Sequence, residues 1–465
     1  MDIMPLMLLA SAGLFAIIGI AAAMLKSRLF PLLAGSALLA FMALVSIAML
    51  ESGASYTVFG VLHFYPFSML FIALFSVLMI LIEILSYNSA NFPGMQLLIG
   101  FAFIALMAVP SALSLIGIFI GLELFSVMAT FMIIISGKRH IEAAVKFFVL
   151  SAVSIALFSV ALALMMPYDG GLSMAAAQAG TSPLGDSLAV LALVFFIAAM
   201  SFDTAMFPFN LWVPDVYEGA SANMSALLAG IGKKLAFVVL IEVLFVFFAA
   251  SKSVFAPLLA VLSVLTMFYG NFAAMVQKRV RRLFAYSSIS QAGYIMIGVA
   301  VATQYGIEAS IVQIIAHAFM IIGAFAIVMW LESEGMRSID DYTGLGSRNR
   351  FAAVSLTLIM LSMAGIPPLL GFDGKLLLFS SAISANMLYL AVLGVLNSFI
   401  SIYYYGKLIN AIFTQKSHKR IALNIGVAIV VVAVLVVIVM LGIYPQPVMA
   451  AAHAASASLL SASVP

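Results

Sequence analysis

The chain has 465 residues and a mass of 49.4 kDa, with 65% hydrophobic and only 8% charged residues and a mean hydropathy of +1.25. Soluble domains carry roughly a quarter charged residues, so a water-soluble protein is excluded at the first step. A net charge of +3 argues against a nucleic-acid partner, and the absence of cysteine removes iron–sulfur ligation, disulfides and thiol chemistry, so no cofactor is expected in this chain.

A membrane helix needs about twenty mostly apolar residues. Fourteen such spans are predicted, near 4–25, 29–50, 65–86, 94–110, 112–136, 143–166, 187–211, 221–249, 254–276, 283–302, 306–332, 352–382, 386–412 and 422–444. The widest gaps, Tyr168 to Ser187 and Glu332 to Arg350, read as loops, so 1–465 is expected to be one membrane domain. The first span follows Met1-Asp2 without a basic leader or cleavage site and reads as a retained helix.

Lys and Arg should collect in alternate, cytoplasmic loops. Lys26 and Arg28 follow span one, Lys138 and Arg139 span five, and Lys278, Arg279, Arg281 and Arg282 span nine. Arg337, Arg348 and Arg350 follow span eleven, and Lys407, Lys416, Lys419 and Arg420 lie around the end of span thirteen. The opposite loops hold only Lys252, which favours both termini outside.

Lys146, Lys233, Lys234 and Lys375 fall inside apolar runs, as do Glu83, Glu123, Glu142, Asp203, Glu242 and His317. An ionisable group at mid-bilayer costs at least a few kcal/mol, so each needs a partner, a hydrated cavity or a function. Glu123, in apolar helix on both sides, and Lys375, two residues after Asp373, are the leading proton carriers; the competing reading for Glu123 is a satisfied structural carboxylate. Glu142 and Lys146 have the spacing of an intrahelical ion pair, which is a structural rival to a transport role. Lys233 and Lys234 are adjacent, so only one need face a channel while the other snorkels. His317 suits either a relay or a hydrogen-bonded core position. Glu83 lies near a span end and is expected at the interface, and Glu242 carries no functional argument.

Pro208, in Phe207-Pro208-Phe209, and Pro367-Pro368 break spans seven and twelve. Proline removes a backbone donor and leaves carbonyls that only protein or water can satisfy, and broken helices at corresponding positions suggest a transporter with internal repeats. The alternative at either site is an ordinary kink. Histidines at no metal-binding spacing argue against haem or zinc, and Gly344-Leu345-Gly346 lacks the strand and helix of a dinucleotide site.

Six segments resemble the antiporter-like membrane subunits of respiratory complex I, most closely the subunit N type: GLELFS at 121–126, EAAVKFFVLSA at 142–152, PFNLWVPDVYEGA at 208–220, RRLFAYSSISQAGY at 281–294, AGIPPLLGFDGK at 364–375 and NSFISIYYY at 397–405. The resemblance implies an all-α polytopic fold of about fourteen helices, with N-terminal helices in 1–93, inverted five-helix repeats in 94–250 and 251–413, and a last helix and tail in 414–465. It implies that Glu123, Lys146, Lys233 and Lys375 are the proton relay, with Asp203, His317, Lys234, Glu142 and Asp373 as further candidates. Three positions depart from the family pattern: Asp203, Asn210, and His317, where subunit N more often has tyrosine and the L, M and antiporter paralogues have histidine. Asp203 stands where a lysine is usual and Asn210 where a histidine is usual, so the first half-channel is expected either to run with a rearranged ion pair or to have lost pumping.

The implied function is proton translocation in the cell membrane of a prokaryote, driven by electron transfer to quinone or a related carrier in other subunits. Implied partners are L-, M-, K-, J-, A- and H-like membrane subunits and a hydrophilic arm holding flavin and iron–sulfur clusters, with lipids around the chain. The donor, NADH, reduced deazaflavin or ferredoxin, belongs to those subunits. A multisubunit cation/proton antiporter and a non-pumping scaffold are the alternatives.

Overall fold

A computed structural model describes residues 3–25, 28–89, 91–166, 172–174, 187–414 and 420–461. Lys26, Lys416, Lys419 and most of the loop from Tyr168 to Ser187 lie outside the described residues. Among the described residues the structure is all-α apart from one short hairpin, and eleven of the helices are long and apolar enough to cross a membrane. It divides into two compact units.

The first unit comprises residues 1–204, 231–258 and 450–465. It holds α1 (Ile3–Leu25), α2 (Leu29–Ser52), the hairpin β1 (Tyr56–Val58) and β2 (Leu62–Phe64), α3 (Pro66–Ser86), α4 (Phe92–Ala108), α5 (Leu115–Ile135), α6 (Ile141–Met165) and α7 (Ser187–Asp203). Helix α2 ends at Gly53, whose φ of 65° is a left-handed conformation that suits a residue without a Cβ. Helices α2 and α3, α1 and α4, and α6 and α7 pack as pairs. Backbone bonds join the loops on one face: Leu113 N donates to Val61 O at 3.0 Å, Leu115 N to Leu172 O at 2.9 Å and Met174 N to Leu113 O at 3.0 Å. These loops follow predicted spans two, four and six, and none carries a cation.

Predicted span seven ends as a helix at Asp203 and resumes as α8 (Trp212–Gly219). Predicted span eight is interrupted too. It runs as α9 (Ala222–Leu227), a π-helical turn over 228–232 and α10 (Lys233–Val246). π-Turns widen the helix and often mark functional positions.

The second unit comprises 205–230 and 259–449. After α11 (Lys252–Met275), its core is α12 (Val280–Val301) and α13 (Gln304–Ser333), whose apolar windows are 94% and 100% buried, so polar groups on α13 face protein on every side. The short α14 (Leu345–Arg348) leads to α15 (Arg350–Ala364) and α16 (Leu370–Ser384), the two halves of predicted span twelve. Helices α17 (Leu388–Phe413) and α18 (Ile425–Ile443) follow, with exposed apolar faces suited to lipid.

The cationic loops of this unit are stitched together, with Val280 N donating to Arg337 O at 3.1 Å, Ile339 N to Lys278 O at 2.8 Å and Ile421 N to Arg348 O at 3.2 Å. Acids neutralise part of that face: Arg282 bonds Asp215 at 3.0 Å and Glu218 at 2.9 Å, and Arg281 pairs with Glu332.

Two elements differ from the sequence expectation. The hairpin falls in a gap read as a simple break, because three-residue strands leave no measurable periodicity. The stretch taken as a C-terminal tail forms α19 (Gln446–Ser461), an Ala/Ser-rich helix whose Ser458 Oγ accepts from Phe67 N at 3.1 Å.

Burial tends to raise Glu218, but hydrogen bonds and charge from Arg282 and Arg279 outweigh it and hold the carboxyl below its ordinary value. A depressed carboxylate stabilises the fold above its unfolded-state value and loses that contribution as pH falls through the folded one. Glu218→Gln should therefore lower stability by about 1–3 kcal/mol at pH 7, and the gap in thermal midpoint from wild type should close below about pH 4.

Candidate functional site

The first unit gathers acids and lysines. Glu123 sits half-buried on α5, and Asp203 is the last residue of α7. The two carboxylates lie within electrostatic reach of each other. Ser154 Oγ, on α6, is 2.7 Å from Asp203 Oδ2 and 3.0 Å from Ala199 O. Two acids so placed need a proton or a cation between them.

Lys233 and Lys234 open α10, directly after the π-turn, and both are fully buried. The expectation that one of them snorkels is corrected: the helix is enclosed on all sides, so neither ammonium can reach water by stretching along it. Lys146 lies elsewhere. It is on the exposed side of α6, its side chain 45% exposed, in an ion pair with Glu142 at 2.8 Å. The structure thus places Glu123 with Asp203, and Lys146 with Glu142.

Two further acids in this unit are more enclosed than their sequence context suggested. Glu83 was expected at the interface but is fully buried, accepting from Ser36 Oγ at 2.8 Å and from Gln96 Nε2. The reason is local: α2 approaches through Gly35, where a Cβ would collide with Glu83 and Gln96, and this close contact seals the carboxylate. Glu242 is also fully buried on α10 and accepts from Tyr65 Oη at 2.9 Å.

The second unit is built around Lys375 on α16. The break leaves the C-terminal carbonyls of α15 without helical donors, and Lys375 Nζ donates to one of them, Ala364 O, at 3.1 Å. It also donates to Ser398 Oγ at 3.2 Å and lies 4.3 Å from the centroid of the Tyr294 ring, a cation–π contact. Ser398 Oγ in turn donates to Tyr294 Oη at 3.3 Å. Asp373 is half-buried, and its Oδ2 has no hydrogen-bond partner among the described residues. Pro208 and Pro367-Pro368 occupy the two breaks and are exposed.

Amide side chains surround this lysine. Gln313 Nε2 donates to Gln291 Oε1 at 2.9 Å, and Gln291 Nε2 donates to Met363 O at 3.0 Å, next to the carbonyl that Lys375 uses. Asn271 donates to Asn397 Oδ1 at 2.9 Å and accepts from Tyr404 Oη at 3.1 Å. His317, fully buried on α13, lies one turn beyond Gln313. Sequence reasoning assigned no role to Gln291, Tyr294, Asn397 or Ser398, although they lie inside two of the quoted segments; polar residues in near-continuous apolar helix were the available signal.

The family described as NADH:quinone oxidoreductase/Mrp antiporter, TM matches residues 112–401. That range covers more than half of the chain. The chain belongs to this family. Its relatives include the F(420)H(2) dehydrogenase subunit N of Methanosarcina mazei, 35% identical over 377 residues, covering 77% of this chain and 76% of the relative. The NADH-quinone oxidoreductase subunit N of Moorella thermoacetica is 33% identical over 401 residues, 82% of this chain and 83% of the relative. A chain of respiratory complex I from Thermus thermophilus with bound aureothin superposes with a TM-score of 0.80 at 27% identity, covering 96% of this chain and 99% of the other. The family match includes Glu123, Lys146, Asp203, Lys233, Lys234, His317, Asp373 and Lys375, and leaves out Tyr65, Glu83 and the hairpin.

Gly371 holds the two halves of the broken helix together, because a Cβ there would collide with the backbone of Ser362. Gly371→Ala should destabilise the protein by about 1–3 kcal/mol, read as a lower thermal midpoint in detergent. Gly406→Ala, inside α17 where a Cβ meets nothing within 4 Å, should keep or slightly raise the midpoint, since alanine is the better helix former.

Proposed function

We propose that this chain is a proton-translocating membrane-arm subunit of a complex I-like oxidoreductase. One observation carries the reading: three lysines, Lys233, Lys234 and Lys375, are almost wholly buried in a chain that spans the membrane. Lysines at that depth are costly and are kept where a proton must be held and released. The subunit N relatives support the oxidoreductase setting over the antiporter alternative. Redox cofactors belong to partner subunits, with L-, M-, K-, J-, A- and H-like membrane subunits beside this one.

The reading includes fourteen helices arranged as two inverted repeats, in 94–250 and 251–413, both termini on the outer side of a prokaryotic cell membrane, and the whole chain acting as one membrane domain. The two helix breaks support the repeat, since each falls in the fourth helix of its five. Protons pass between Glu123, Asp203 and the Lys233–Lys234 pair in one half, and reach Lys375 in the other, with His317 and Asp373 beside it. Glu142 and Lys146, paired and exposed, act where α6 meets a neighbouring subunit.

The non-pumping alternative has one specific observation in its favour, an acid at position 203. Reconstituted complex measured for protons moved per electron decides between them. Lys375→Ala should assemble normally and lose this subunit's share of the protons; full pumping would reject the reading. Asp203→Asn should also lower that share, and an unchanged stoichiometry would remove Asp203 from the path.

A further inference from the structure

Glu242 is a buried acid that the relay described above does not use. It lies eight residues beyond Lys234 on α10, about 12 Å further along the axis at the helical rise. Its Oε1 accepts from Tyr65 Oη at 2.9 Å, while Oε2 has no hydrogen-bond partner among the described residues. Buried polar atoms left without a partner are uncommon and cost about 1–3 kcal/mol, so each asks for a reason. Ser111 Oγ is in the same condition, on a 3-10 turn (Val109–Ser111) that packs against α3, β2 and α10. The apolar interior of the first unit is therefore interrupted by polar groups between α10 and the hairpin.

Tyr65 continues that line outward. Its ring stacks on the His63 imidazole, centroids 5.2 Å apart and planes 27° apart. His63 Nδ1 is 3.0 Å from Thr57 Oγ1 on the facing strand, and Thr57 is exposed. Burial pushes the His63 imidazole below its ordinary value, so near pH 7 the ring is neutral, with one nitrogen to donate and one to accept. The geometry is fixed from both ends. Ser68 Oγ accepts from Tyr65 N at 2.9 Å, and the Val61–Leu113 backbone bond ties the hairpin to the next loop.

We infer that Glu242, Tyr65 and His63 form a proton-conducting arm that links the lysine-bearing end of α10 to the aqueous face at the hairpin. Glu242 is the buried acceptor, Tyr65 the gate and His63 the surface-side acceptor. His63 first takes a proton from the aqueous face and becomes imidazolium. Tyr65 then gives its hydroxyl proton to the Glu242 carboxylate and regains one from that imidazolium through water, so imidazole and phenol both end neutral, Glu242 ends protonated and one proton has moved inward; the reverse moves one outward. A purely structural Tyr–Glu pair would satisfy both carboxylate oxygens, and a well-packed apolar pair would serve packing as well or better.

The arm rests on the proposed function, and one experiment separates the two. Complex carrying Glu242→Gln, Tyr65→Phe or Lys375→Ala is reconstituted into liposomes, checked for assembly by native electrophoresis, and measured for protons moved per electron. Glu242→Gln keeps an acceptor for Tyr65, and Tyr65→Phe keeps the stack on His63, so each removes the proton and preserves the packing. Both should lose the same share of pumped protons as Lys375→Ala. Loss in Lys375→Ala with full pumping in Glu242→Gln overturns the arm and leaves the proposed function standing. Full pumping in all three rejects the proposed function and the arm with it. Should Glu242→Gln fail to assemble, Tyr65→Phe decides by the same criterion.

Discussion

The bilayer interior offers no water to a backbone carbonyl or an ammonium group, and much of this structure is a set of answers to that one constraint. The clearest answer is the contact between Lys375 Nζ and Ala364 O. A broken helix leaves carbonyls without donors, and a buried lysine has donors without acceptors. Each alone would be expensive. Together they satisfy each other, and the aromatic face of Tyr294 completes the ammonium's surroundings. None of these partners is a carboxylate, so the charge is stabilised without being trapped in a strong ion pair. That is the condition a group must meet if it is to change its protonation state during a cycle.

The first unit solves the same problem differently. Its lysines follow a π-turn rather than a helix break, and its acids lie on other helices, Glu123 in the middle of α5 and Asp203 at the end of α7. With an acid at position 203, the local arrangement is two acids near each other rather than an acid–base pair. The adjacent buried lysines, Lys233 and Lys234, restore cations to the unit on a different helix. The ion pair at Glu142 and Lys146 lies outside that balance, because it sits on the exposed side of α6 and each member is already paired with the other.

Legibility in the sequence followed the range of the physics. Apolar runs, proline breaks and clustered cations are local, and the spans, both interruptions and the stitched cationic loops follow from them. Burial of a particular side chain is not local. Glu83 reads as a helix-end residue because nothing near it in sequence announces Ser36, Gln96 or the close approach at Gly35. Glu242 is silent for the same reason, since Tyr65 lies 177 residues away. The π-turn before Lys233 has no proline to mark it, and the hairpin is too short to show alternation. Lys146 and Lys233 look alike as cations in apolar runs, yet one is exposed and the other sealed. Only the packing of neighbouring helices separates them.

The amide network of the second unit bears on how charge can move at all. Gln291, Gln313, Asn271 and Asn397 are buried and bonded to one another or to backbone. Being neutral, they cannot titrate, and being bonded across α11, α12, α13, α15 and α17, they hold those helices in a fixed relation. The carriers are bonded more sparingly. Lys375 has one carbonyl and one hydroxyl, and Asp373 keeps an oxygen with no hydrogen-bond partner among the described residues. A frame of amides bonded across several helices, with only Gln313 Oε1 lacking a partner among the described residues, surrounds charges with spare bonding capacity and separates rigidity from reactivity. The frame can stay still while a proton and its carrier rearrange, which a core held together by the ion pairs themselves could not do.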